Sequence, residues 1–358
     1  MFQKEKPFKS LFEYYRFTEN DEKEYPVISK ILRFLTPERI NKEIKTIQKV
    51  KLPIDLRKWI EEYEKIGERD RFIWKWLYKI NKIWVHPSIQ PKYSLSLAKI
   101  KTLYNMFIVL IDDVAEDKNK ERLLNKLLLI SSTQNKIKQL QDYELILEEK
   151  KYLQFTIKVW KTIIKTIKIY PHYNEFRDLF FYDTDQFLNA VKYTNNILKH
   201  PYFINSTEYW LYIPHSMQIM IDFDLDAMCS SKNILKNIKN DIGTIRPIIL
   251  CLQKMGRIGN WITTWEREVK NNDLTSIVVP YAIENQILEY KDIQSTDKNK
   301  IIKKIKSSFI EKRILKEWEE YYKKLIDLSG GNKVISTEKI SQKARYLILM
   351  HLISRKLK

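Results

Sequence analysis

Three oxygen-bearing side chains recur at every fourth position in the stretch RIGNWITTWEREVKNNDLTS (257–276): Asn260, Thr264 and Glu268. Steps of four residues turn an α-helix by ~400°, so the three line one face and climb it by ~12 Å. An amide oxygen, a hydroxyl and a carboxylate in a row are hard donors that can chelate a small divalent cation, the carboxylate supplying the charge. The flanks are apolar (IILCLQKMG before, WITTW within), and polar groups in a dry setting cost stability unless they are satisfied. Gly256 and Gly259 would let another helix approach just ahead of the ladder. The competing reading, a polar stripe turned to solvent or to a neighbouring helix, ranks below the metal reading.

A second cluster emerges from the apolar run FIVLIDDVAED (107–117), which places Asp112, Asp113, Glu116 and Asp117 within six residues. On a helix Asp112 pairs with Glu116, and Asp113 with Asp117, at a spacing of four. Such carboxylates repel one another unless cations or water neutralise them. Donors of this kind suit Mg2+, which shares its coordination with phosphates and water. A solvated acidic helix end, or a helix start using acids against its dipole, explains the cluster equally well when it is taken alone.

Together the two clusters resemble those of a class I terpene synthase of the microbial single-domain type. The resemblance rests on Asp112-Asp113 with Asp117 and, 148 residues after Asp112, on Asn260, Thr264 and Glu268. Arg267 directly precedes the glutamate, and Asn272-Asp273 stands where that family often has Gly-Asp. The resemblance spans nearly the whole chain in length and order, and the downstream motif is its specific part. It implies an all-α fold, one large helical bundle with a central active-site cavity, as a single domain over residues 1–358. It also implies three Mg2+ ions. Asp112 would lead the ligation of two, with Asp113, Glu116 or Asp117 orienting it or binding through water; Asn260, Thr264 and Glu268 would hold the third. Arg267 would contact the diphosphate, as a charged fork of donors suits. Arg345-Tyr346 matches an Arg-Tyr pair that closes over that group. If the pair lies within the last helix, Arg355 is the remaining candidate.

The sequence departs from the family at two points. Trp261 replaces the acidic residue that commonly follows the asparagine. The arginine that senses diphosphate near a helix break is missing around Pro214, where His215 is the one candidate cation and reads as a local hydrogen-bonding residue. Arg257, one turn before Asn260, is the expected substitute. The implied activity is that of a carbon–oxygen lyase: Mg2+-dependent ionisation of an isoprenyl diphosphate of farnesyl or geranylgeranyl length, then cyclisation of the carbocation in a dry cavity. Phe107, Trp210 and Tyr212 are candidate wall rings, each also readable as core. The alternatives are a chain-elongating prenyltransferase, whose second aspartate-rich motif is replaced here by the ladder, and a basic helical binding protein without catalysis.

Helices must carry these residues, and the composition supplies them. Only 6 glycines and 11 prolines interrupt 358 residues, and apolar positions recur at helical spacing, which argues for an almost all-α chain with a sizeable core. The net charge of +19 comes with 45 acidic residues and no compact basic run, so it reads as a lysine-rich surface rather than a nucleic-acid interface. Cys229 and Cys251 read as buried free thiols in a reducing compartment. The charged N-terminus lacks a signal-peptide core, and no unbroken apolar run nears a membrane span. The expectation is a cytoplasmic protein without nucleic acid or integral membrane span, with an isoprenyl diphosphate as its partner and a homodimer as one option.

Along the chain, residues 1–60 read as short helices with prolines near their starts. Helices are expected over Asp70–Trp84, from Ser94 into Asp112, over 118–150 as one or two amphipathic segments, and over 152–170 as a buried one. Further helices follow over Asn174–Asn195, from Ser206 until Pro214 disturbs it, through Pro247 into Val269, over Asp297–Lys324, and from Gly330-Gly331 to Lys358.

Overall fold

The computed structural model describes residues 8–84, 86, 89–131, 145–293, 295–355 and 357. Among them the chain is all-α, with one isolated bridge pair, Ile89–Ser230, and no strand. In chain order the helices are α1 (Leu11–Tyr14), α2 (Glu19–Glu24), α3 (Pro26–Phe34), α4 (Pro37–Gln48), α5 (Ile54–Tyr63), α6 (Arg71–Ile83), α7 (Ser94–Ala115), α8 (Glu121–Leu127) and α9 (Leu147–Ile167). They continue with α10 (Tyr173–Lys199), α11 (Ser206–Tyr212), α12 (Ile219–Met228), α13 (Lys232–Lys270), α14 (Val278–Glu284), α15 (Tyr290–Ile293), α16 (Lys298–Ser307), α17 (Ile310–Ser329) and α18 (Thr337–Ile353).

Local chemistry places most of the boundaries. Pro26 and Pro37 open α3 and α4, where a missing N–H costs nothing. Asp70 caps α6 by accepting the Phe72 N–H at 2.7 Å, and Ser336 caps α18. Pro214 converts the end of α11 into a short 3-10 turn, Ile213–Ser216. Pro247 is accommodated inside α13, although it has no N–H to give the Gly243 carbonyl.

Three expectations change. The charged stretch 297–324 is two helices, because Ser308 leaves helical conformation between α16 and α17. Its hydroxyl donates to the Ile305 carbonyl (2.6 Å) and accepts the Ile310 N–H (3.2 Å), closing one helix and opening the next. α9 is amphipathic rather than buried all round, with Phe155, Val159, Trp160 and Ile163 inside and its lysines outside. The 118–150 stretch yields a 3-10 turn, Lys118–Lys120, and α8; residues 132–144 lie outside the described residues, as do 1–7 and 358.

The chain forms two compact units. The first comprises Met1–Val50, Pro201–Trp210 and Thr244–Lys358; the second comprises Lys51–His200 and Leu211–Gly243. In the first, α17 is central: it packs on α3, α14, α16 and α18. Its Glu319, 1% exposed, accepts the Val27 and Ile28 N–H groups at 3.0 and 2.6 Å. The carboxylate thus sits where the α3 dipole favours negative charge.

The second unit is built around α7, against which α6, α9, α10 and α12 pack. Phe107 stacks on Trp160 with ring centroids 4.8 Å apart, and Tyr104 meets Phe107, Trp160 and Phe180 edge-on. The segment Pro91–Ala115 is long and apolar enough to cross a membrane by composition, even though lysines break its apolar run. Here it is a core helix, two-thirds buried among its neighbours. One of its lysines, Lys101, is wholly buried and ion-paired to Asp226 at 2.8 Å.

Candidate functional site

The ladder stands on α13 in the first unit. Asn260 is half-buried, while Thr264 and Glu268 are buried, so the stripe faces protein rather than open solvent. Gly259 lies against the ring of His351 on α18: a Cβ there would sit 2.9 Å from that ring. The expected close helix approach is therefore present at this glycine. Arg257 donates from Nη1 to the Asn260 amide oxygen at 3.1 Å. The Thr264 hydroxyl donates to the Asn260 carbonyl at 2.8 Å.

After Lys270 the chain turns back. Asn272 takes a left-handed φ of 59°, a position asparagine tolerates at helix ends, and the Asp273 N–H then reaches the Glu268 carbonyl at 2.8 Å. This turn seats the Asp273 carboxylate beside Glu268. Glu268 Oε2 and Asp273 Oδ2 are both buried without a hydrogen-bond partner. Burial, reinforced by the Asp273 charge and only partly opposed by Arg257, Arg267 and the Thr264 hydroxyl, raises the Glu268 pKa to about 7. An orphaned carboxylate oxygen with an amide oxygen and a hydroxyl on the same face fits a single hard cation. Asp273 was visible only as part of a family-like Asn-Asp pair; its nearness to Glu268 depends on the left-handed turn.

Cations flank the ladder. Lys254 lies over Trp210 and Tyr321 at 5.8 and 5.7 Å from the ring centroids, and Arg257 lies 5.4 Å from the Trp261 ring. Trp210 in turn meets Trp261 edge-on. Arg267 is half-buried, with its Nε enclosed and unpartnered. Among the described residues Lys254, Arg257 and Arg267 form no ion pair, whereas the buried Arg355 forms two.

Arg345 and Tyr346 lie within α18, Arg345 exposed and Tyr346 half-buried. Arg355 is no substitute, because it is fully committed: it pairs with Glu266 at 2.5 Å and Glu311 at 3.2 Å, and donates to the Tyr15 hydroxyl at 2.6 Å. Lys306 joins Glu266 at 2.9 Å, and the Trp265 indole donates to Glu311 at 3.0 Å. This network ties α13, α17 and the chain after α18 together just beside Arg267.

The acids of the second unit are held by protein partners. Gly67 leaves room for the Tyr63 ring where a Cβ would overlap it, and the Tyr63 hydroxyl accepts the Arg69 N–H at 3.3 Å. Arg69 then clamps Asp113 through Nε (2.9 Å) and Nη2, and reaches Glu116 at 3.7 Å. Burial alone would lower the Arg69 pKa, but Asp113, Glu116 and Asp112 raise it well above its ordinary value. Asp117 caps the Lys118–Lys120 turn by accepting the Asn119 N–H at 2.9 Å. Asp112 is half-buried. Acids at a helix C-terminus oppose its dipole, and Arg69 offsets that cost. Among the described residues no three His, Cys, Asp or Glu side chains converge as metal ligands.

The candidate rings divide. Phe107 is core; Tyr212 is exposed and lies against Tyr193; Trp210 stands beside the ladder helix. The sequence reading also passed over α12, IMIDFDLDAM, which is buried throughout with Asp222, Asp224 and Asp226 inside it. Three acids at alternate positions in an apolar helix were the available signal for a buried polar cluster. Asp226 receives Lys101 and the His86 N–H at 3.0 Å. No protein-family model matches the chain, and no curated protein matches it.

Proposed function

We propose that this chain is a class I terpene cyclase of the terpenoid-synthase type, converting farnesyl or geranylgeranyl diphosphate to a cyclic product with release of diphosphate. The observation that carries the reading is Glu268. It is a buried carboxylate with one oxygen lacking a hydrogen-bond partner, at the foot of an amide–hydroxyl–carboxylate ladder on one helix face. The cations Lys254, Arg257 and Arg267 on the same helix supply charge for a diphosphate.

In this reading Asn260, Thr264 and Glu268 hold one Mg2+. By the resemblance Asp112 would lead the ligation from the acid cluster; Asp113 and Glu116 meet Arg69, and Asp117 caps its own turn. Bound Mg2+ would neutralise charge on the departing diphosphate. Arg267 and Arg257 bind its oxygens through forked donors. Trp210 and Trp261, which meet beside the ladder helix, would exclude water and offer faces to positive charge.

The test is incubation with geranyl, farnesyl and geranylgeranyl diphosphate and Mg2+, with and without isopentenyl diphosphate, followed by gas chromatography. Hydrocarbon or alcohol from an allylic substrate alone supports the cyclase, and loss of product in Asn260→Ala and Glu268→Gln assigns it to the ladder. Product only with isopentenyl diphosphate would mean chain elongation. Absence of diphosphate release, with tight salt-sensitive nucleic-acid binding, would mean a basic binding protein.

A further inference from the structure

Arg257 is in direct contact with the ladder. It is 9% exposed, its Nη1 donates to the Asn260 amide oxygen at 3.1 Å, and its Nε is buried without a partner. That amide oxygen is the atom Asn260 would offer to a cation, and an oxygen receiving an Arg N–H cannot take a metal along the same direction. A guanidinium that is buried, only partly satisfied and without an ion pair gains from meeting a dianionic group. Asn260 and a diphosphate therefore compete for the same donor.

We infer that Arg257 is a stand-in cation for the ladder: it occupies Asn260 until a diphosphate draws it away, so that anion binding uncovers the metal ligand. This rests on the ladder being a cation site, and it adds an order of events to that reading. Diphosphate binds through Arg257 before the ladder cation is fully held, and the metal alone is bound weakly. The consequence is coupling between anion and cation through one side chain, as linked binding requires.

The test uses the full chain and simple probes. Mn2+ alone is titrated by the loss of its free electron-paramagnetic signal, and inorganic diphosphate alone is titrated calorimetrically in chelator. Arg257→Met is expected to bind Mn2+ about tenfold tighter, the scale of one charge-assisted hydrogen bond, and to bind diphosphate more weakly. Opposite shifts are the signature, since a merely damaged fold weakens both. Arg257→Lys keeps the charge without the fork, and is expected to tighten Mn2+ part of the way. If Lys binds Mn2+ as weakly as wild type while Met binds tighter, charge repulsion accounts for the effect and the exchange is refuted. Unchanged Mn2+ affinity in Arg257→Met, with binding that Glu268→Gln abolishes, refutes the exchange but keeps the metal site. Mn2+ binding indifferent to Glu268→Gln removes both.

Discussion

Arg69 holds Asp113 by two nitrogens on one oxygen, with Nε at 2.9 Å from Oδ1, and the Tyr63 hydroxyl stands 3.4 Å from the other oxygen. Both charged side chains are about one-fifth exposed. Removing one partner leaves carboxylates stranded at a helix C-terminus. Arg69→Met is therefore expected to lower stability by about 2 kcal/mol. Arg69→Met combined with Asp113→Asn should recover part of that loss. Urea midpoints of the four proteins, closed as a double-mutant cycle, check the coupling.

Thr264 separates chemistry from structure. Its hydroxyl bonds to the carbonyl one turn back, a contact of small net value, and stands beside the Glu268 carboxylate. Thr264→Val should change the melting temperature little while cutting Mg2+-dependent product formation by roughly tenfold to a hundredfold, the range of one weakened ligand. A variant with wild-type turnover would argue against the hydroxyl as a ligand.

Gly259→Ala replaces a poor helix former by the best one, a change worth about 1 kcal/mol in favour of an exposed helix. Here the added methyl would meet the His351 ring at 2.9 Å, where it touches the ring's base rather than a mobile tip. A net destabilisation of about 1–2 kcal/mol is expected, measurable by urea denaturation.

Asp21 sets an acid limit on the first unit. Burial would raise its pKa, but Lys312 (2.6 Å), Lys316 (2.8 Å) and the Thr18 capping box outweigh burial and hold it well below the usual carboxylate range. With the folded value depressed, the stabilisation is fully present above the unfolded value near ~4 and is lost as pH falls through the folded value. Asp21→Asn should thus cost about 1–3 kcal/mol at pH 7. The difference from wild type should shrink steadily as the pH drops below ~4. Stability curves from pH 7 to 2 test the sign.

Glu319→Ala should cost about 2–3 kcal/mol, because the Val27 and Ile28 N–H groups lose a buried acceptor. Glu319→Gln, which keeps one oxygen, should cost less. Hydrogen exchange at those two amides reports the change directly.

Helix starts marked by proline or by a capping side chain were legible from the residues themselves, because the signal is local: Pro26, Pro37 and Asp70 act within their own turns. The break at Ser308 was not, since a serine ends a helix only when its hydroxyl finds both a carbonyl behind and an N–H ahead. The ladder's common face followed from spacing alone. The roles of Arg69, Asp273 and Arg355 did not, because each comes from tertiary folding: a loop in which Gly67 makes room for the Tyr63 ring, a left-handed Asn272, and an arginine after α18 paired to α13. The acid cluster shows the limit most clearly, as its spacing matched a metal motif while two of its four carboxylates pair with an arginine more than forty residues upstream.

The two thiols report on the two units one at a time. Cys251 belongs to the first unit and Cys229 to the second; both are buried, and burial raises the thiol of Cys251 to about 11 and that of Cys229 further still. Neither is reactive in the folded state, so a thiol-modifying dye can act on each only after its own surroundings open. With Cys229→Ala and Cys251→Ala as single-thiol proteins, dye uptake in native buffer becomes a separate clock for each unit.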